Sequence, residues 1–412
     1  METIELPFNP ARPATMLIDI NSCFASIEQQ ANPLLRGRPM VVAAYKTASG
    51  CILAASREAK VLGIKTGMRV REGRVICPEL VVLEPDPAKY RHVHQKLKQL
   101  IGDYTSDLVA KSIDEFSLNF DKYPGLNRGL MVVGKEIKER IRKEIGDWLT
   151  VSIGIGPNIF LAKMASNLKK PDGLEEINID NVESIYKRWQ LTDLWGIKQA
   201  NAGRLNLAGI YTVEQMYRAD IGQLRSAFHS IGGYYWYLRL RGWEIDGIAW
   251  QRKSFGAMYS IPSRTETLAD LAPILHKLVE KVVIRLRHGG WQASGVHLAV
   301  VYKNRSFWHR GKMLPRKIDE RGEIYRQMWR MLGKSPTPVM VGNLAVTVYG
   351  LSKITCRQMD LFGEIERAER IAKAADRIRK RWGKFVLMPA MMLSASDKVV
   401  DRIGFGNVGD IG

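Results

Sequence analysis

The chain has 412 residues, of which 46% are hydrophobic and 25% are charged, a composition that excludes a disordered chain, collagen and a coiled-coil rod. Lys and Arg total 62 against 42 Asp and Glu, and the formal net charge of +20 predicts a polyanionic partner such as nucleic acid. No apolar run approaches the roughly 20 residues of a membrane span, and residues 1–13 lack the pattern of a secretory leader. The four cysteines form no CxxC pair, which favours a reducing cytoplasm over a disulfide scaffold or a zinc knuckle.

The first predicted elements are short apolar strands that alternate with helices. Residues 14–20 form an apolar run with Asp19 near its end, which predicts a buried strand that presents a carboxylate. A hairpin is predicted over residues 108–120, with Asp114 and Glu115 at its bend. The same patterns predict helices over 22–29, 87–104 and 130–145, and strands over 40–44, 52–55, 81–83 and 149–155.

From about residue 181 the pattern changes to short helices separated by glycines. Residues 191–207 predict two helices joined by a turn at Gly196, which is either a helix-hairpin-helix or a plain helical hairpin. A helix-hairpin-helix offers backbone N–H groups to a phosphate without reading sequence, so Gly196 and Lys198 are candidate DNA contacts.

Beyond a linker at residues 244–253, the pattern changes again and predicts a β-α-β-β-α-β unit that ends near residue 349. Residues 251–330 contain 16 Lys and Arg against six Asp and Glu, half of the excess positive charge of the chain. The predicted strands interleave basic and aromatic side chains, which is typical of a sheet face that binds a nucleic-acid backbone. The candidate contacts on this face are Lys303, Arg305, Arg310 and Lys312, with His309, Phe307 and Trp308 between them.

Three acids stand out as candidates for chemistry. Asp19 lies 95 residues before Asp114, which Glu115 follows directly, and each of these positions is at the end or bend of an apolar strand. If the strands are neighbours, the carboxylates converge and need cations to offset their repulsion. Oxygen ligands without a His or Cys cluster favour Mg²⁺. On the residues alone, exposed turn acids are an equal alternative, and the chain has no P-loop, HExxH, GxSxG or complete dinucleotide motif.

Three motifs, in order along the chain, resemble those of the Y-family (translesion) DNA polymerases. Residues 16–28, which read MLIDINSCFASIE, resemble the first, and Ser112-Ile113-Asp114-Glu115 resembles the second. The third is spread over residues 151–173 as VSIGIG, LAKMAS and KPDG. With the helical hairpin and the β-α-β-β-α-β unit, the resemblance covers about residues 14–350 and is to the UmuC/UvrX-like branch.

The resemblance implies an α+β multidomain fold shaped like a right hand. It implies a palm over residues 1–28 and 81–180, small fingers over 29–80, a helical thumb with a helix-hairpin-helix over 181–245, a β-α-β-β-α-β little finger over 253–355, and a C-terminal tail over 356–412.

The activity implied by the resemblance is that of a template-directed, low-fidelity DNA polymerase. Such an enzyme adds deoxynucleotides to a primer 3′ end with two Mg²⁺ ions and bypasses lesions in damage tolerance and SOS mutagenesis. The implied metal ligands are Asp19, Asp114, Glu115 and the backbone carbonyl of Ile20. The implied nucleotide contacts are the main-chain amides of Ser22 and Cys23, the side chains of Arg57, Lys60 and Lys170, and Phe24, the steric gate against a ribose 2′-hydroxyl.

Two positions depart from the family pattern. Arg57 stands where other branches have Tyr, and Asn21 stands where many relatives have a second Asp. Because Asn21 is not one of the three metal carboxylates, the resemblance still implies an active enzyme.

The C-terminal segment contains Gln358-Met359-Asp360-Leu361-Phe362, which resembles the pentapeptide that docks bacterial polymerases on the β sliding clamp. Gln358, Leu361 and Phe362 are the implied pocket residues, and a helix is predicted over 365–382. The expected partners are thus primer-template DNA, deoxynucleoside triphosphates and the clamp, with accessory subunits left open. Two other interpretations are a nucleotide cyclase on a palm-like sheet and a catalytically silent DNA-binding clamp partner.

Overall fold

The computed structural model describes residues 6–246, 252–261, 267–336, 340–355, 363–382 and 386–395. These residues divide into two compact units, one that ends at residue 246 and one that begins at residue 252. Within the described residues, no helix is long and apolar enough to cross a lipid bilayer.

The first unit contains eight strands and twelve α-helices in its described part. Its strands are β1 (Thr15–Ile20), β2 (Met40–Ala43), β3 (Ile52–Ala55), β4 (Val81–Leu83), β5 (Leu108–Ala110), β6 (Glu115–Asn119), β7 (Val151–Gly156) and β8 (Leu174–Glu176). Its helices are α1 (Cys23–Ala31), α2 (Arg57–Val61), α3 (Val70–Ile76), α4 (Pro87–Gly102), α5 (Pro124–Arg128), α6 (Leu130–Glu144), α7 (Ile159–Leu168), α8 (Val182–Tyr186), α9 (Gln199–Leu207), α10 (Val213–Arg218), α11 (Ile221–Phe228) and α12 (Gly232–Leu240).

A five-stranded sheet, in the order β5-β6-β1-β7-β8, forms the centre of this unit. All six residues of β1 are buried, as expected of an apolar strand in the middle of a covered sheet. Apolar side chains of α4 and α6 pack against it in one core. In the antiparallel pair of β1 and β6, Asp19 is the direct partner of Glu115. The prediction that the two acid-bearing strands are neighbours is therefore confirmed.

A second, smaller sheet has the order β3-β2-β4. It packs with α2 and α3 around a core of its own, which consists of only six buried apolar side chains. In the connection between β2 and β3, Gly50 N donates a hydrogen bond to Thr47 O and closes the turn.

Helices α8 to α12 follow the sheet and share a separate core with α7. Gly196 has a φ of +97°, a backbone conformation that glycine adopts without strain, so a turn at this position is confirmed. The element before the turn differs from the prediction. It is a single 3₁₀ turn, Leu191–Asp193, and not an α-helix, because Leu194 directly after it has an extended backbone that ends the helix.

The second unit has the predicted β-α-β-β-α-β order. Its elements are β9 (Ser254–Ser260), α13 (Leu268–His288), β10 (Trp291–Tyr302), β11 (Phe307–Ile318), α14 (Arg321–Leu332) and β12 (Val341–Lys353). The sheet is antiparallel in the order β11-β10-β12-β9, and α13 and α14 pack on one of its faces. The predicted terminal helix is present as α15 (Glu364–Trp382), which Arg379 joins to Glu280 of α13 at 2.5 Å.

Candidate active site

A cleft of about 740 Å³ opens in the first unit at the end of β1. Residues from four parts of the sequence line it, namely the end of β1 with the turn after it, the region from β3 through α2 to Thr66, the start of β6, and the region from α7 to the following loop. The lining includes most of the residues that sequence analysis singled out in this unit, together with Lys163, and these are Asp19, Ile20, Asn21, Ser22, Cys23, Arg57, Lys60, Asp114, Glu115, Lys163 and Lys170.

The three predicted carboxylates come together at one edge of the central sheet. Asp19 is 6% exposed and faces Glu115 across the β1–β6 pair. Asp114 lies in the bend immediately before β6, and its carbonyl accepts a hydrogen bond from Ile20 N at 2.9 Å. The register of β1 and β6 thus places the three acids together. Unrelated acids in exposed turns would have no reason to converge in this way.

Crowding and burial change the protonation of Asp114. Burial raises the pKa of this carboxyl group, a hydrogen bond from the Ser112 hydroxyl lowers it, and the nearby charges of Asp19 and Glu115 raise it again. The resulting pKa is about 6, against an ordinary value of 3.8. A cation bound in the cleft would therefore lower the pKa of Asp114 and stabilise its charged form.

Two lysines contact the acids directly. Lys163 Nζ lies 2.5 Å from Asp19 Oδ2 and 2.5 Å from Glu115 Oε1, and Lys170 Nζ lies 2.8 Å from Asp19 Oδ2. Sequence analysis assigned Lys170 to the nucleotide and gave Lys163 no role. The available signal was that Lys163 is the only charged residue in the apolar helix α7. A lysine in such a helix is either at the surface or paired with a buried acid.

The remaining predicted cations lie at the α2 side of the cleft. Arg57 is the first residue of α2, and Ser56 caps this helix by accepting a hydrogen bond from Ala59 N. Burial and the neighbouring charge of Lys170 lower the pKa of Lys60, while Asp19 opposes this change. Arg57, Lys60 and Lys170 therefore border one space, although their roles toward a nucleotide stay predictions.

The turn from β1 into α1 lines the cleft. Ser22 has a φ of 52°, an unusual left-handed conformation for a residue other than glycine, and both Ser22 and Cys23 line the cleft. Phe24 follows them but is fully buried, and its ring stacks on Tyr90 with centroids 4.4 Å apart. Phe24 is thus part of the core next to the cleft and not part of its lining, and its role as a steric gate stays a prediction.

Asn21 joins three segments that border the site. Its side chain accepts a hydrogen bond from Asp172 N at 2.8 Å and donates one to Ser152 Oγ at 2.9 Å. Asn21 N also donates to Thr150 O. The side chain at this position therefore holds the loop of Lys170 against the ends of β1 and β7, a role that the sequence pattern did not indicate.

The donor set fits a hard divalent cation in its chemistry, because it consists of three carboxylates and the carbonyl of Ile20, all of which supply oxygen. The described residues nevertheless include no group of three or more acidic, His or Cys side chains already arranged around one metal position. The cation that contacts two of the three acids in this structure is the ammonium group of Lys163.

The prediction that the basic and aromatic residues of the second unit share one face of the sheet is wrong, because they alternate between its two faces. In the β10–β11 register, Arg310 lies opposite the buried Leu298 and Lys312 opposite the buried Val296, so strand alternation places these cations on the side of the sheet that carries the helices. Both cations are nevertheless exposed, and their contacts with DNA stay predictions. Lys312 Nζ donates to Gln327 Oε1 of α14 at 3.0 Å. The strand alternation instead places Phe307 and His309 on the open face.

The other predicted contacts lie in turns or outside the described residues. Lys303 and Arg305 lie in the turn between β10 and β11, and Lys303 Nζ donates to Ile261 O at 3.0 Å. Gly196 and Lys198 are exposed in the turn before α9. The clamp-motif residues Gln358, Leu361 and Phe362 lie outside the described residues.

Two segments of the chain match models of one protein family. Residues 18–167 match the impB/mucB/samB family, and residues 252–361 match the C-terminal domain of that family. The first match includes all three acids and Lys163, whereas Lys170 lies three residues beyond its end.

Named relatives cover nearly the whole chain. DNA polymerase IV of Moorella thermoacetica is 33% identical over 393 residues, which are 92% of this chain and 96% of the relative. DNA polymerase IV 1 of Bacillus subtilis is 30% identical over 402 residues, 94% of this chain and 95% of the relative. These names do not specify the UmuC/UvrX-like branch, which stays a prediction.

Solved structures share the fold. A chimera of the Y-family DNA polymerases Dbh and Dpo4 covers 82% of this chain and 99% of its own at a TM-score of 0.71 and 22% identity. An insertion ternary complex of Dbh DNA polymerase has a TM-score of 0.57 at 21% identity. The predicted multidomain α+β polymerase fold is confirmed, and the matching family segments and near-complete relatives show that the chain belongs to the impB/mucB/samB family of Y-family, translesion DNA polymerases.

Proposed function

We propose that the chain is a template-directed, low-fidelity DNA polymerase whose reaction takes place in the cleft at the end of β1. The observation that supports this proposal is that three acids, Asp19, Asp114 and Glu115, converge on one cleft. Three basic side chains, those of Arg57, Lys60 and Lys170, border the same cleft. An acidic cluster beside a basic surface suits a reaction between a divalent cation, a triphosphate and a primer end.

Divalent-metal dependence is general to DNA polymerases of this family. The residues that would hold the ions are Asp19, Asp114, Glu115 and the carbonyl of Ile20, and we propose Mg²⁺, two per site, because all of these donors are oxygens. Bound in this way, the ions would lower the pKa of the primer hydroxyl and offset the charge of the triphosphate.

The chain's own side chains would bind and orient the substrates. Lys60 and Lys170 are placed to donate to phosphate oxygens, and Arg57 at the start of α2 adds a planar donor group. Ser22 and Cys23, in and after the left-handed turn, line the same space, and we propose that their main-chain N–H groups bind the triphosphate. Positioning and charge stabilisation are the main contributions that a protein makes to nucleotidyl transfer.

The small sheet supports a role in lesion bypass. Its core consists of six buried apolar residues, and we expect so small a subdomain to enclose a nascent base pair only loosely. A loose pocket discriminates weakly against a distorted base, which is consistent with damage tolerance and with the SOS mutagenesis that the sequence predicts. Primer-template DNA and deoxynucleoside triphosphates are thus the proposed substrates, and the β sliding clamp is the proposed partner of residues 358–362.

Primer extension with Asp114→Ala tests this function. We expect the variant to lose extension by at least about a thousandfold, because one of the proposed metal ligands is removed, and to bind duplex DNA as the parent does, because basic groups bind phosphates. Asp121→Ala, which removes an exposed acid beyond β6, is the matched control. Extension by Asp114→Ala at the parental rate would overturn the assignment. If the parent shows no Mg²⁺-dependent extension, the proposed function is overturned, and a catalytically silent DNA-binding protein or a nucleotide cyclase becomes the favoured interpretation.

A further inference from the structure

The position of Lys163 is the least expected feature of the site. Its side chain is only 9% exposed, and its ammonium group lies within 2.5 Å of one oxygen each of Asp19 and Glu115. A lysine this deeply buried is rare unless it is paired with acids. The two oxygens that it contacts belong to residues proposed above to bind a divalent cation.

The backbone around Lys163 keeps its side chain at this position. A Cβ atom at Gly154 of β7 would lie 2.0 Å from the carbonyl oxygen of Ala162, so α7 packs directly on the β7 backbone. The neighbours Ala162, Met164 and Ala165 are all buried, and Ser166 Oγ donates to the carbonyl of Lys163. This helix therefore has little freedom to carry Lys163 away from the acids.

Lys170 differs from Lys163 although both contact Asp19. The side chain of Lys170 is 36% exposed and lies in a loop, so it is able to turn toward a phosphate in the cleft. The contact that the structure shows for the Asp114 carboxylate is the Ser112 hydroxyl, not an ammonium group. Among the three acids, Asp19 and Glu115 are therefore the ones whose charge Lys163 already balances.

We propose that Lys163 is a built-in counter-cation, which holds Asp19 and Glu115 together in the metal-free enzyme and competes with a divalent cation for their oxygens. This inference rests on the proposed function, since it concerns the same acids. Lys163 acts through Asp19 and Glu115 and is thus a positioning residue. Burial lowers the pKa of Lys163, but the two acids more than offset this effect, so the ammonium form is favoured.

The physical reason is that the same oxygens serve both cations. Without a cation between them, two carboxylates paired across β1 and β6 would repel each other. The ammonium group of Lys163 offsets this repulsion. A divalent cation must then either displace this ammonium group from the carboxylate oxygens or bind close to another positive charge. The lysine would therefore stabilise the empty site and weaken metal binding, so that tight binding awaits the further oxygens of a bound nucleotide.

Metal titration of the full chain without DNA tests the proposal. We expect Lys163→Met, which keeps the length of the side chain and removes its charge, to bind Mn²⁺ at least about tenfold more tightly in isothermal titration calorimetry. We also expect its melting temperature to be lower than that of the parent in EDTA and to rise more on addition of Mn²⁺. Lys163→Arg should behave as the parent does, because it keeps a cation.

Lys169→Met is the matched control, since Lys169 is a neighbouring lysine that pairs with Glu175 at 2.7 Å, away from the acids. It should leave Mn²⁺ affinity and both melting temperatures unchanged. Equal Mn²⁺ affinity in Lys163→Met and the parent would overturn the proposal, as would weaker binding.

A folding defect of the variant is also informative. If Lys163→Met or the smaller change Lys163→Gln is unfolded in EDTA and folds with Mn²⁺, the metal replaces the ammonium group, as proposed. If both variants are unfolded with and without Mn²⁺, the competition is ruled out and Lys163 has only a packing role. These measurements do not depend on polymerase activity, so failure of the proposed function would be seen separately in the Asp114→Ala experiment.

Discussion

The three acids in the cleft differ mainly in the group that offsets their negative charge. Asp19 contacts two ammonium groups and Glu115 contacts one, whereas the carboxylate of Asp114 accepts a hydrogen bond from Ser112. Asp114 is therefore the acid whose ionisation is opposed by burial and by its two acidic neighbours. This difference has a consequence for stability that is measurable without any substrate.

Asp114→Asn should stabilise the metal-free protein in a pH-dependent way. The pKa of about 6 in the native state exceeds the unfolded value of about 4, so the stability contributed by protonated Asp114 is complete below pH 4 and is lost as the pH rises through 6. At pH 7.5 the neutral amide should add about 3 kcal/mol to the free energy of unfolding, from two pK units at about 1.4 kcal/mol each. At pH 4.5 the gain should be about 1 kcal/mol.

Denaturant unfolding in EDTA at the two pH values measures this difference. Asp121→Asn, at an exposed position, should show no dependence of this kind. A gain for Asp114→Asn that is equal at pH 4.5 and pH 7.5 would show that the burial of this carboxylate does not raise its pKa.

Phe24 connects the cleft with the core beneath it. Removing its ring should open space beside the sugar of an incoming nucleotide, so Phe24→Ala should incorporate ribonucleotides at a higher ratio to deoxyribonucleotides than the parent does. Because Phe24 is fully buried, the same change should destabilise the protein by about 3–5 kcal/mol. Phe24→Leu, a smaller change, should keep the protein folded and shift the ratio in the same direction.

Single-nucleotide insertion kinetics with both sugars checks this prediction. Phe120→Leu is the control, because Phe120 is also fully buried in the same core and lies away from the cleft lining. It should lose stability without a change in sugar preference. If the ratio is unchanged in both Phe24 variants, the residue that excludes the 2′-hydroxyl is another one.

Among the elements, the contact between α7 and β7 is what brings Lys163 to the acids. The two glycines of β7, Gly154 and Gly156, have no room for a Cβ atom, since each would lie less than 3 Å from the α7 backbone. Sequence analysis excluded them from a dinucleotide motif but gave them no other function. In the structure they allow a helix to pack directly on a strand that is paired with β1.

Gly154→Ala should therefore force α7 away from β7. We expect a loss of roughly 1–3 kcal/mol or more in the free energy of unfolding, as for other overpacked cores, and weaker primer extension because Lys163 moves. Gly203→Ala is the control, since Gly203 lies inside α9 and a methyl group added there would have no heavy atom within 4 Å. It should stabilise the protein by about 0.5–1 kcal/mol. Equal stability of the two variants would contradict the close packing of α7.

For the molecule as a whole, partner binding is predicted from the charge and from the C-terminal segment. The net charge of +20 supports binding of the DNA backbone. The pentapeptide at residues 358–362 follows β12 in the sequence and precedes α15, so it lies between two elements of the second unit. Its proposed contact with the sliding clamp is separate from the chemistry of the cleft.

The double variant Leu361→Ala with Phe362→Ala should lose clamp pull-down and clamp-stimulated synthesis, because burial of the two side chains contributes roughly 3–5 kcal/mol before ordering costs. Synthesis on bare primer-template should stay at the parental level. Met359→Ala, within the same pentapeptide, should keep both properties. A double variant that folds poorly and loses basal synthesis would show that the pair belongs to a core.

Sequence analysis placed the first-unit strands and helices for which it gave bounds to within a few residues, and it predicted the order of the elements in the second unit. Buried strands are apolar runs, and covered helices repeat their apolar residues every three to four positions. Sequence analysis also identified Asp19, Asp114 and Glu115, since acids at the ends of apolar strands are unusual. Local pattern was sufficient for the elements, whereas the choice of these acids over exposed turn acids depended on the resemblance to the family. Local pattern failed for the sheet face of the second unit, because successive side chains of a strand point to opposite faces, so Arg310 and Lys312 cannot share a face with Phe307 and His309. Only the pairing with β10 decides which of these two sets lies on the side of the helices.

By itself, the sequence thus determined the family, the order of the elements and the three acids. Only the tertiary structure decided that Lys163 lies between two of those acids, that Asn21 holds the loop of Lys170, and that Phe24 is buried on Tyr90. The physical reason is that each of these contacts joins residues far apart in the chain. Their distances depend on how closely α7 packs on β7 and how β1 pairs with β6, and no local pattern of residues specifies these distances.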